Sequence, residues 1–132
     1  MLDFLKWRLG PNYNQLVDIK LISRKIIVND ITKIRNILQS QNYQIIFYKS
    51  FENERSGKVR KILSQFPLLP ESQVKVYWDA TRDGILITYK LFIKYYDDLW
   101  YPSSDDVWIF DDGLEWLLEI SHEEEIAFYK LK

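Results

Sequence analysis

The spacing of apolar residues changes near residue 70. From Asn29-Asp30 onward, Ile31, Ile34, Ile37 and Leu38 recur three and four positions apart, with Lys33, Arg35 and Asn36 left for the wet side. Asn-Asp is good N-capping chemistry, so the pattern predicts a helix of about three turns. "YQIIFYKSF" is rich in β-branched and aromatic residues and predicts a strand near 43–49. Ser56 then caps a second expected helix, whose apolar side carries Val59, Ile62, Leu63 and Phe66. The stretch before Asn29 fits a helix or a strand.

After Pro70 the period becomes two. Val74, Val76 and Trp78 alternate with Lys75 and Tyr77; beyond "DATRDG", Ile85, Ile87, Tyr89, Leu91 and Ile93 alternate with Leu86, Thr88, Lys90 and Phe92. This predicts a hairpin, with a helix over 85–96 as the alternative. Three further short strands are expected at 107–110, 114–120 and 126–131, as an antiparallel meander. Gly10-Pro11, Pro67 with Pro70, Asp83-Gly84 and Asp112-Gly113 read as turn punctuation. The expected class is α+β, with helices mainly from the N-terminal half packed on one face of a sheet formed mainly by the C-terminal half. The other face is then left for solvent or a partner. At 132 residues, without a repeat or long linker, one domain over 1–132 is expected.

Composition bounds the chemistry. A hydrophobic fraction of 47% excludes a disordered chain. Charges interrupt every apolar run short of the roughly 20 residues that span a bilayer, so no membrane segment is expected. The start, "MLDFLKWRLGPNYNQ", lacks the pattern of an export leader, which makes the cytoplasm the expected location. The absence of cysteine removes disulfides, thiolate catalysis and cysteine-bound zinc. Four scattered glycines form no phosphate-cradling loop, and no cofactor is expected.

The net charge of −1 conceals a division. Residues 1–66 hold twelve Lys/Arg against five Asp/Glu, and residues 67–132 hold six against fourteen. Within 97–125 there are eleven acids and neither Lys nor Arg. Adjacent residues of a strand point to opposite faces, so Asp105-Asp106 and Asp111-Asp112 cannot each present two acids to one catalytic site while extended. Turn and cap chemistry accounts for most of these aspartates. What remains is a recognition surface: if Leu114, Trp116, Leu118 and Ile120 face the core, Glu115, Leu117 and Glu119 lie opposite, and Trp108 shares a side with Phe110. Rings anchor interfaces and acids steer a basic partner. The candidate partner-binding residues are Asp97, Asp98, Asp105, Asp106, Trp108, Glu115 and Glu119.

Other chemistries have thinner support. His122, the only histidine, stands in "SHEEE", which reads as an exposed hairpin turn; an enzyme or metal site using it with carboxylates is the second reading. Arg55, Lys58, Arg60 and Lys61 could meet phosphates, but no nucleic-acid motif accompanies them and the pI is 5.8. A homodimer joining the basic half of one copy to the acidic half of another is also open.

"YYDDLWYPSSDDVWIF" and "WLLEISHEEEIAFYK" together resemble the C-terminal region of small bacterial toxin-immunity proteins, over residues 95–130. The resemblance implies a non-catalytic inhibitor that binds a toxin domain, often a nuclease with a basic cleft, where carboxylates occupy the places of phosphates.

Overall fold

The computed structural model describes residues 3–15, 19–54, 56–101 and 104–131, without the side chains of 14, 15 and 56. The elements are α1 (Asp3–Leu9), a 3-10 turn (Gly10–Gln15), β1 (Lys20–Ile22), α2 (Arg24–Gln39), β2 (Tyr43–Ser50), α3 (Ser56–Ser64), β3 (Gln73–Trp78), β4 (Asp83–Thr88), α4 (Tyr89–Lys94), α5 (Tyr96–Leu99), β5 (Val107–Phe110), β6 (Trp116–Ile120) and β7 (Glu125–Leu131). All seven strands join one antiparallel sheet in the order β1-β4-β3-β5-β6-β7-β2. The class is α+β, with helices mostly in the first part of the chain. No helix among the described residues is long and apolar enough to cross a membrane.

Period-two alternation divides the apolar residues between two cores. Val74, Val76, Ile85, Ile87, Val107, Ile109, Leu118, Ile120 and Phe128 pack beneath α1, α3, α4 and α5. Tyr77, Trp108, Phe110, Leu117 and Leu131 meet Ile27, Ile31 and Ile34 of α2 on the reverse side. The face expected to stand open is thus partly covered. The physical reason is that α2 is longer than the spacing from Asn29 suggested. Ser23 caps it, accepting from the Ile26 amide, and Ile27 extends the apolar stripe by one turn. Where α2 crosses β4, a Cβ on Gly84 would stand 2.6 Å from Ile27 Cγ1. Gly84 is therefore a point of close helix–sheet approach within β4, whereas the turn itself runs through 79–82, with Arg82 at positive φ.

The long second arm of the expected hairpin ends early. Thr88 Oγ1 accepts from the Leu91 amide and caps α4, while the Tyr89 and Lys90 amides are taken by the Ser72 and Pro70 carbonyls. Tyr89 and Phe92, one helical turn apart, are then both buried. Leu114 also leaves the expected alternation: at φ 52° it turns toward the α2 side, while Trp116, Leu118 and Ile120 stay with the larger core.

Candidate functional site

The acids of 97–125 do not remain a single negative field, because Arg8 and Arg60 of the N-terminal half and Lys75 of the C-terminal half fold onto three of them. Arg8 bonds both carboxylate oxygens of Asp105, which is 5% exposed and also accepts from the Tyr101 amide at 2.8 Å. The Arg8 guanidinium lies 4.0 Å from the Tyr101 ring centre. Arg60 reaches Asp97 at 2.9 Å and the carbonyls of Ile93 and Lys94. Lys75 joins Asp30 and Asp112, each at 2.7 Å. Burial draws the Lys75 ammonium down, but its two carboxylates outweigh that and leave it above its ordinary value; the same contact holds the Asp112 carboxyl below the usual range.

These contacts reassign part of the expected surface. Asp105 is buried in a clamp between Arg8 of α1 and the Tyr101 amide, where no partner can reach it. Asp97 is committed to Arg60, and burial followed by the neighbouring Asp97 charge raises the Asp98 carboxyl. Asp106 accepts from the backbone amide and Nδ1 of His122, at 2.9 and 2.8 Å, bracing the β6–β7 turn. Glu115 is exposed just before β6, at the opposite end of that strand from the β6–β7 turn, and its carbonyl accepts from the Leu131 amide. Of the seven candidates, the structure brings only Trp108 and Glu119 into direct contact, with Asp106 on the strand-end side of the same corner.

That corner is built by register. Tyr77, Trp108, Glu119, Ala127 and Tyr48 are successive cross-strand partners on β3, β5, β6, β7 and β2, on the face that α2 covers only in part. Trp108 Nε1 donates to Glu119 Oε2 at 3.0 Å, and the Tyr129 hydroxyl donates to Oε1 at 3.2 Å. The Glu119 carboxylate is thereby held upright between two rings. Burial, then the Glu119 charge, pushes the Tyr129 phenol upward. Tyr48 is 58% exposed beside the small Ala127, and its hydrogen bond to Glu125 raises its phenol. Across the row, Arg35 stands 5.5 Å from the Trp108 ring and 2.8 Å from Asp79. Tyr48, Tyr129, Ala127 and Arg35 were not visible as site residues in the sequence, because only the pairing of β2 with β7 and the path of α2 bring them here.

The alternative chemistries find little geometry. His122 lies on an exposed turn with Asp106, and no group of three or more His, Asp or Glu side chains among the described residues could hold a metal. A cleft of about 350 Å³ beside α4 is lined by Ser64, Leu68, Tyr89 and Ile93 with one carboxylate, Glu71, and one cation, Lys90. His122 is not among its lining residues. Of the basic cluster, Lys58 is paired with Glu54 and Arg60 with Asp97, and Arg55 lies outside the described residues. No family model matches the chain, and no curated protein or solved structure matches it either.

Proposed function

We propose that this is a non-catalytic binding protein that neutralises a basic protein partner, in the manner of a toxin-immunity protein, through the acidic and aromatic corner around Glu119. The observation that carries this reading is the contrast in pairing. Asp97, Asp105 and Asp112 are matched by Arg60, Arg8 and Lys75, whereas among the described residues no Lys or Arg forms an ion pair with Glu119, Glu123, Glu124 or Glu125. Trp108 itself is buried against α2, so the accessible ring surface beside these carboxylates is that of the partly buried Tyr129 and the exposed Tyr48. The charges speed encounter and the rings supply area at low entropy cost.

The test uses wild type and the Glu119→Gln/Glu123→Lys variant as baits in lysate of the native host, followed by activity measurement on the retained protein. A basic protein held by wild type, lost by the folded variant, and inactivated by equimolar wild type is the expected result. A retained protein that stays fully active under saturating wild type, or baits that retain identical sets of proteins, would overturn the proposal.

A further inference from the structure

Among the described residues, one local arrangement occurs three times. Arg8 sits on the Tyr101 ring and Asp105; Arg35 sits on the Trp108 ring and Asp79; Arg60 lies 5.6 Å from the Tyr96 ring and on Asp97. In each, one guanidinium lies by a ring and bonds a carboxylate. The lysines divide differently: Lys6 and Lys94 lie over rings, and Lys58 and Lys75 meet carboxylates, with no lysine among the described residues doing both. The physical basis is the planar guanidinium, which stacks on a ring while its fork of N–H donors bonds a carboxylate, something a compact ammonium does less well.

Glu119 is a further carboxylate bonded to two rings, Tyr129 and the Trp108 that Arg35 also approaches, with the exposed Tyr48 one strand beyond Ala127, and among the described residues no guanidinium bonds it. We propose that this is the seat for an arginine side chain supplied by the partner. The inference rests on the reading of this corner as a surface for a basic protein, and narrows that partner to one that presents arginine. A carboxylate offers about four acceptor positions, of which the Trp108 and Tyr129 donors take two and fix the orientation of the rest. Ala127, only 6% exposed, separates Glu119 from the exposed Tyr48 in the row. Arg35 already stands 5.5 Å from the Trp108 ring, so the seat is centred on the Glu119 carboxylate and the Tyr129 ring.

The test compares acetyl-triarginine amide with acetyl-trilysine amide at matched ionic strength, following the Trp108 indole N–H by ¹⁵N NMR. Triarginine should shift that resonance saturably and bind about fivefold or more tightly than trilysine. Glu119→Gln, which loses the charge-assisted bond, should weaken triarginine about tenfold, and Tyr48→Ala, at an exposed site that leaves the core untouched, should weaken it severalfold. Equal binding of the two peptides, or an unchanged Trp108 response in both variants, would overturn the arginine seat. If the peptides bind alike while Glu119→Gln/Glu123→Lys still loses the host protein, the seat fails and the neutralising surface stands. Discrimination between the peptides without an inactivated host protein supports the seat and removes the neutralisation reading.

Discussion

Asp105 and Glu119 are made of the same materials and serve opposite ends. Each is a carboxylate among aromatic rings in the acidic part of the chain, and each accepts two or more hydrogen bonds from its neighbours. Arg8 from α1 closes over Asp105 and turns it into an internal fastening, with side-chain exposures of 12% and 7%. No arginine of the described chain closes over Glu119, which stays half-buried at the edge of the α2 face. What separates a structural ion pair from a recognition site is therefore the position of a cation nearly a hundred residues away. Local sequence around the two acids does not differ enough to tell them apart.

Arg8 carries the largest expected effect. Arg8→Ala leaves a buried, uncompensated carboxylate and should cost about 3–5 kcal/mol, read as a lower urea midpoint at unchanged slope. A loss under about 1 kcal/mol would mean that the clamp is solvated and that Asp105 resembles Glu119 after all. Gly84→Val is next: its side chain must displace Ile27, and overpacking of this kind costs about 1–3 kcal/mol. Shortening the neighbour with Ile27→Val should recover part of the loss, showing that the approach of α2 sets how much of the sheet remains uncovered.

Glu119→Gln keeps an acceptor for one of its two donors, so we expect a stability change within about 1 kcal/mol, set against a large loss of partner binding. A severe destabilisation would make Glu119 a second internal fastening and erase the contrast. The smallest effect belongs to His122. The hydrogen bond from its ring to Asp106, then the Asp106 charge, raises its pKa above 6.5, so its stabilising contribution is complete below the unfolded-state value and fades as pH rises through the folded-state value. Between about pH 5.5 and about pH 8.5 wild type should lose slightly more in urea midpoint than Asp106→Asn; parallel profiles would show that the pair contributes nothing measurable.

Much of the sheet can be read from the sequence, because residues such as Val74, Val76 and Trp78 declare a buried face by alternation alone. The first turn of α2 escapes notice because Ser23 and Asn29 are both competent caps, and only the packing of Ile27 on Gly84 selects the earlier one. Residues 89–94 escape because "YKLFIK" alternates well enough for a strand, and the choice falls to Thr88 as a cap and to carbonyls offered by the 70–72 turn. For the site, alternation suffices to put Trp108 and Glu119 on opposed strands, but not to pair them. Tyr48 and Tyr129 arrive through long-range register, and the neutralised aspartates through arginines of the other half, neither of which leaves a local trace.

The strand order also fixes a schedule. β2 ends at Ser50, yet among the described residues its neighbour in the sheet is β7 alone, which begins at Glu125, and α2 has little sheet to lie on until β3 to β6 exist. At ribosomal speeds of roughly 5–20 residues per second, β2 waits on the order of several seconds for its partner. During that interval Ile45, Ile46, Phe47 and Tyr48 travel as an unpaired, nearly uncharged segment, and Lys49 is the only charge within the strand to discourage premature pairing with another nascent chain. The corner that carries Tyr48 is consequently the last part of the sheet to be completed.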